Sequence, residues 1–191
     1  IFHIGSVSMT DEPCRKTSFD CLNYAKSKNK VISYDPNLRR LVWDDLNDAK
    51  TMILKGLEYA DIVKVSEEEL TFLTGMEDYE KACRTLSTIY PFKLLFVTFG
   101  SNGCAYFYQN TYKHVDSFSV NAIDTTGAGD GFFGAVLAQL MEKKVDLNHL
   151  DHNTLTEITR YANACGAFAT TQNGAIGSLA YPDDIKKMIG K

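Results

Sequence analysis

No run of apolar residues in this 191-residue chain approaches the ~18 needed to cross a bilayer. Basic residues are scattered rather than clustered and the formal net charge is −4, so the chain carries no electrostatic footprint for nucleic acid. There is no CxxC pair. The five cysteines (Cys14, Cys21, Cys83, Cys104, Cys165) fall at irregular spacings. That argues against a disulfide framework or a zinc site, and for buried thiols in a reducing cytosol. His3, His114, His149 and His152 share no metal-ligand spacing and are expected at the surface or in loops. Internal repeats, low-complexity tracts and linker-like stretches are missing too, so the chain reads as one domain. The opening "IFHIGSVSM" has neither an initiator methionine nor the regions of a signal peptide, and reads as a piece of a longer chain.

What is present is an ordinary globular balance, 45% apolar and 23% charged, long enough to bury a core. "FHIGSV" reads as a strand ending at Gly5. A helix follows with Pro13 near its start and Phe19, Leu22, Tyr24 and Ala25 on one side. "KVISYDPN" is a strand stopped by Pro36. "DDLNDAKTMILKGLEYA" is a helix with acidic residues at its front and Leu46, Ala49, Ile53, Leu54 and Leu57 at helical spacing. "DIVKV", the helix "SEEELTFLTG" with Gly75 as its stop, a helix over 78–90 and the apolar strand "KLLFVTFG" complete a β-α-β-α-β-α-β order. That alternation predicts a mainly parallel sheet flanked by helices.

The pattern then changes. "CAYFYQNTYKHVDSF" alternates around Gln109-Asn110-Thr111 and reads as a β-hairpin. Two consecutive helices follow. One runs from about Gly127 to Lys143 with Phe132, Phe133, Val136, Leu137, Leu140 and Met141 as its core stripe. The other runs from about Thr154 to Thr171 with Leu155, Ile158, Tyr161, Ala162, Cys165 and Phe168. A short helix after Pro182 closes the chain.

The stretch "NAIDTTGAGDGFFGAVLAQL" (Asn121–Leu140) carries the chemistry. Gly127 and Gly129 remove side chains where a backbone must approach something closely, and they stand at a helix start. The unpaired N–H groups of that first turn, helped by the helix dipole, make an anion site suited to phosphate. A carboxylate beside bound phosphate is costly unless it has a task. Asp130 is placed to accept the proton of a hydroxyl that attacks a phosphoryl group. The alternative is a plain helix start in which Thr126 caps and Asp130 complements the dipole. Gly129, Gly131 and Gly134 also spell G-x-G-x-x-G, but the motif comes late and is followed by a second helix rather than a strand. No acidic residue closes a strand ~20 residues on, so the dinucleotide reading is rejected.

"DTTGAGDGFFGAVLAQL" resembles the C-terminal signature of the PfkB/ribokinase family of carbohydrate kinases. "SYDPNLR" (Ser33–Arg39), "DIVKVSEEELTFLTG" (Asp61–Gly75), "LLFVTFGSNG" (Leu94–Gly103) and "YANACGAFATTQNGAIGSLAYP" (Tyr161–Pro182) stand in family order around it, so the resemblance covers nearly the whole chain. Within the family, "YDPNLR", "KVSEEE" and "NACGA" are similar to the bacterial and plant fructokinases. The resemblance implies a Rossmann-like, ribokinase-type α/β fold. It implies an ATP-dependent sugar kinase of the cytoplasm, with sugar and ATP as its small-molecule partners and a homodimeric whole protein. Another substrate of the family, such as ribose, a nucleoside or a keto-sugar acid, stays open. So does a non-catalytic regulatory protein of fructokinase type.

Position by position, the resemblance makes Asp130 the catalytic base and Gly127, Ala128 and Gly129 the anion hole. Thr98, Gly100 and Gly103 match the loop along the ATP phosphates and ribose, and Asn163 a nucleotide-side position. Glu69 matches the acid that organises Mg2+ through water; Ser66 stands where the family motif has asparagine, on the ATP side. A monovalent cation, K+ for example, is implied beside the anion hole, at Asp124, Thr126, Ala169, Gln172, Gly174 and Ser178, with a plain turn as the alternative. Asn37 and Arg39 lie past a strand end, where ligands of open parallel sheets gather. There they are read as substrate or phosphate contacts, a surface-loop arginine being the alternative. Family members begin with further chain that carries the early strands, most sugar contacts and a β-lid. The chain is therefore expected to be the nucleotide-binding C-terminal portion, with one sheet edge left open.

Overall fold

The computed structural model of the chain describes residues 1–190. Six strands, β1 (Phe2–Gly5), β2 (Ile32–Asp35), β3 (Ile62–Ser66), β4 (Leu94–Thr98), β5 (Cys104–Tyr108) and β6 (Thr111–Val115), lie side by side in chain order in one sheet. β1 pairs with β2 and β2 with β3 in parallel, Phe2 opposite Ile32 and Ser33 opposite Ile62. Gln109 and Asn110 join β5 to β6 with positive φ at both residues, the backbone of a tight two-residue hairpin. β4 and β5 are covered on both faces, with Leu94 to Val97 wholly buried, which explains their continuous apolar sequence. β1 stands at one end of the order with a single paired neighbour among the described residues.

The chain gathers into two compact units, residues 1–97 with 107–112, and residues 98–106 with 113–190. In the first, α1 (Cys14–Ser27) follows β1, α2 (Leu46–Leu57) follows β2, and the pair α3 (Glu67–Thr74) and α4 (Tyr79–Ile89) follows β3. Their starts are written locally: Asp45 accepts from the Asn47 N–H, Asp78 from the Lys81 N–H, and Ser66 and Glu69 form a reciprocal capping box. Gly75 stops α3 in the left-handed conformation. Met9, Leu22, Tyr34, Ile53, Leu57 and Leu70 build the core. Two expectations need correction here. Tyr24 is 66% exposed, because α1 buries only a narrow stripe through Phe19, Leu22 and Ala25. Cys14 and Cys21 are exposed on the same helix; Cys83 alone among this unit's thiols is buried.

In the second unit, α5 (Ala128–Glu142) and α6 (His152–Ala169) pack against each other. Their contact is close because Gly166 faces Ala128: a Cβ added at Gly166 would lie 3.1 Å from the Ala128 carbonyl oxygen. The contact holds the first turn of α5 beside the middle of α6. α6 begins at His152, not Thr154, since Asp151 accepts the N–H groups of Asn153 and Thr154. Met141, expected in the core stripe, is 60% exposed, whereas Phe132, Phe133, Val136 and Leu140 are buried. α7 (Pro182–Ile189) follows a 3-10 turn at Ile176–Ser178.

Candidate active site

In the second unit the start of α5 departs from an ordinary cap. The N-cap is Gly127, at φ 80°, and no side chain caps the helix, so Thr126 does not fill that role. A side chain at Gly127 would also press on Ala175, whose Cα lies 3.2 Å from a Cβ built there. The Ala128 N–H donates to the Thr125 carbonyl at 3.2 Å. The N–H groups of Gly129 and Asp130 have no partner among the described residues. Two free donors thus stand at a helix N-terminus, and Asp130 is exposed at the third helical position of the same turn.

Ala128 and Gly129 open into a cavity of about 650 Å³ shared with Thr98, Gly100, Gly103 and Asn163. Residues from three separate sequence motifs thus meet in one place. The loop between β4 and β5 makes a tight turn: Phe99 N–H donates to the Gly103 carbonyl at 2.8 Å, and Gly103 N–H to the Gly100 carbonyl at 3.3 Å. Gly103, at φ 96°, admits no side chain, because a Cβ there would stand 2.3 Å from the Val115 carbonyl oxygen. Asn163 Nδ2 donates to the carbonyls of Val115 and Asp116 at 2.9 and 3.1 Å, which pins the segment after β6 to α6. The lining also includes residues that carry no motif. His114 packs its ring 5.7 Å from Phe99, Phe118 carries the Arg160 guanidinium 5.2 Å from its ring, and Val120 lines the wall. A loop aromatic and a lone histidine give no local signal that marks them.

The candidate cation loop is held by Asp124. Its Oδ1 accepts from Thr126 N–H at 2.9 Å and its Oδ2 from Gly174 N–H at 3.0 Å. The Gly174 N–H above all, then the Thr126 hydroxyl and N–H, hold the Asp124 carboxyl well below its ordinary value, down to about 2. Each carboxylate oxygen thus accepts one backbone N–H. Ala169 accepts from Gln172 N–H, and the buried Ser178 donates its hydroxyl to Ala175.

In the first unit a second cavity, of about 610 Å³, brings together Asn37, Arg39, Ser66 and Glu69. Glu69, 9% exposed, uses both oxygens: Oε1 accepts from Leu38 N–H at 2.6 Å and Oε2 from Ser66 N–H at 2.8 Å. Ser66 returns the bond to Glu69 N–H through Oγ, so the serine serves as a helix cap. Asn37 takes a left-handed backbone at φ 48°, and Arg39 is exposed. Lys64, absent from the sequence-derived set, lines the same cavity and places its ammonium 3.1 and 3.2 Å from the two carboxylate oxygens of buried Asp35. Its place inside the apolar strand "IVKVS" was the available signal. No group of three or more His, Cys, Asp or Glu among the described residues is arranged to hold a metal ion. No described helix is long and apolar enough to cross a membrane.

Residues 1–181 match the pfkB family of carbohydrate kinases. Fructokinase-1 of Zea mays is 42% identical over 191 residues, covering 100% of this chain and 58% of the maize protein. The fructokinase of Vibrio cholerae O395, solved with fructose, ADP and calcium ion, superposes with a TM-score of 0.89 at 33% identity, over 97% of this chain and 59% of that one. The Xylella fastidiosa fructokinase with bound ATP gives a TM-score of 0.90 at 28% identity, over 99% and 61%. The chain thus spans well under two thirds of each of these relatives. The match over residues 1–181 and the identity to the maize protein establish that it belongs to the pfkB family of carbohydrate kinases.

Proposed function

We propose that the whole protein transfers the γ-phosphoryl group of ATP to a primary hydroxyl of fructose, giving fructose 6-phosphate, and that this chain is its nucleotide-binding C-terminal portion. The observation that carries the reading is the start of α5, where two unpartnered N–H groups and the exposed Asp130 belong to the same first turn. The sugar oxygen attacks the γ-phosphorus, the bond to the bridging oxygen of ADP breaks, and Asp130 takes the hydroxyl proton. The N–H groups of Gly129 and Asp130, with Gly127 leaving room for close approach, stabilise the charge on the transferred group. Fructokinases of maize and Vibrio cholerae among the relatives support the choice of sugar.

Mg2+ fits this chain as a water-separated ion: Glu69 presents a carboxylate fixed by two N–H donors, and Mg2+ keeps its waters and takes phosphate oxygens in place of a protein cage. When bound, it neutralises charge on the β- and γ-phosphates. Asp124, with the backbone of Thr126, Ala169, Gln172 and Gly174 and with Ser178, suits a monovalent cation such as K+ beside the anion hole. Within the first unit's cavity, Ser66 is taken as an ATP-side contact and Asn37 and Arg39 as substrate or phosphate contacts. A cytosolic homodimer with no nucleic-acid partner completes the proposal.

The test is fructose phosphorylation by the whole protein and by its Asp130→Asn variant, with ATP binding followed calorimetrically. Turnover is expected to fall at least ~100-fold while ATP binding persists. Near-normal turnover in the variant would refute the base; absence of fructose turnover in the unaltered protein would refute the substrate. Replacing lithium by potassium at constant ionic strength is expected to raise the rate.

A further inference from the structure

The sequence contains two Asn-Gly pairs, Asn102-Gly103 and Asn173-Gly174, both in the second unit. An asparagine followed by glycine is open to attack by its own backbone. The nitrogen of the next residue can reach the side-chain Cγ, and glycine has no Cβ to obstruct the approach. In the sequence the two pairs look alike, and the fold separates them.

Asn102 closes the 3-10 turn between β4 and β5, and Gly103 is fixed behind it on both sides. Its N–H donates to the Gly100 carbonyl at 3.3 Å, and its carbonyl accepts from Phe99 N–H at 2.8 Å. Gly103 is also buried, with backbone of Val115 and Ser117 packed against its Cα. Its nitrogen cannot turn toward Asn102 unless the whole turn opens. Gly174 stands in the open instead. Residues 172–177 are all exposed, and a Cβ added at Gly174, at φ 89°, would meet no atom within 4 Å. Its N–H has one partner among the described residues, Oδ2 of Asp124 at 3.0 Å. The Asn173 side chain has no hydrogen-bond partner among the described residues, so its Cγ is free to turn.

We infer that Asn173-Gly174 is the site at which this chain deamidates, and that the Asp124 carboxylate is the brake on the reaction. The Gly174 nitrogen gives its proton to hydroxide and bonds to Cγ of Asn173. The bond from Cγ to the side-chain nitrogen breaks, and ammonia leaves with a proton from water. Water then opens the resulting succinimide ring. Cleavage between Cγ and the Gly174 nitrogen leaves an aspartyl residue at position 173. Cleavage at the main-chain carbonyl carbon leaves an isoaspartyl link, with the chain running through Cγ. In sum, amide and water give acid and ammonia. While the Gly174 N–H is engaged by Oδ2 the nitrogen is held in place, and the neighbouring negative charge opposes loss of its proton. Either product adds a second negative charge to the loop that Asp124 fastens, and the isoaspartyl link lengthens its backbone by one carbon. Both changes work against the bond that restrained the reaction. The chemistry needs no ligand and stands apart from the proposed phosphoryl transfer.

The experiment is incubation of the chain in mildly alkaline buffer, with both Asn-Gly peptides followed by mass spectrometry after chromatographic separation of aspartyl and isoaspartyl forms. The folded chain, the same chain in urea and the Asp124→Ala variant are compared. In the folded chain Asn173 is expected to react at least about tenfold faster than Asn102, whose turn must open first. In urea the two are expected to react at similar rates, because the fold alone separates them. In Asp124→Ala the rate at Asn173 is expected to rise about tenfold, with Asn102 unchanged. Reaction at Asn102 as fast as at Asn173 in the folded chain would overturn the site. An unchanged rate at Asn173 in Asp124→Ala, or an equal rise at both positions through general loosening, would overturn the brake.

Discussion

Gly174 donates its backbone N–H to Oδ2 of Asp124 at 3.0 Å, fastening together two loops that lie 50 residues apart in the chain. The same carboxylate takes the Thr126 N–H on its other oxygen. One aspartate therefore shapes both the approach to α5 and the turn after α6, and the pH at which it protonates is the pH at which this fastening is lost.

The Asp124 carboxyl lies at about 2 in the folded chain against an ordinary 3.8. A depressed carboxylate stabilises the fold at every pH above its unfolded value, and that contribution fades as pH falls from there through the folded value. The amide proton shift of Gly174, followed by NMR, is expected to titrate with a midpoint near 2. A midpoint at the ordinary carboxylate value would show that the bond does not persist in solution.

Gly103→Ala is expected to be destabilising beyond the loss of one glycine. Its φ of 96° alone strains an L-residue by about 1–3 kcal/mol. The new methyl group also meets the Val115 carbonyl and the Ser117 N–H, both backbone atoms that cannot swing aside. Urea unfolding measures the loss, and nucleotide binding is expected to weaken with it because the turn lines the cavity. Wild-type stability would mean that the β4–β5 turn adopts another conformation.

Lys64 and Asp35 form an ion pair with side chains 9% and 6% exposed. Lys64→Met leaves the Asp35 carboxylate buried without its counter-charge, an expected loss of about 3–5 kcal/mol. Replacing both, as Lys64→Met with Asp35→Leu, is expected to regain most of that stability, since two apolar side chains carry no desolvation cost. Denaturant midpoints distinguish the cases. A double variant as unstable as the single one would place the importance of Asp35 in another contact.

Thiol reactivity separates the five cysteines. Burial pushes the Cys83 thiol up to about 12 and the Cys165 thiol up to about 11, and Cys104 is fully buried. The thiolate is the reactive form. At pH 8, Cys14 and Cys21 are expected to react promptly with an aromatic disulfide reagent, and the other three only after unfolding. Prompt reaction of all five would show that the cores open readily.

The order of strands and helices was legible in the sequence because its signals act over a few residues. Asp45, Asp78 and the Ser66–Glu69 box each satisfy N–H groups two or three positions away. The start of α5 was legible for the same reason, since glycine at 127 and 129 and aspartate at 130 are consecutive. Periodicity identified the covered side of each helix but not how wide a stripe the neighbours cover, so Tyr24, Met141, Cys14 and Cys21 were placed too deep. Tertiary structure alone decided partnerships across long separations. The Leu38 N–H reaches Glu69 over 31 residues, Lys64 reaches Asp35 over 29, and Asn163 reaches Val115 over 48. A polar side chain in a sequence shows what it can donate or accept; which groups come within 3 Å of it depends on the alignment of strands and the packing of helices. So the residue types of the candidate site were readable along the chain. The use of Glu69 and Asp124 as backbone anchors became fixed only when distant segments met.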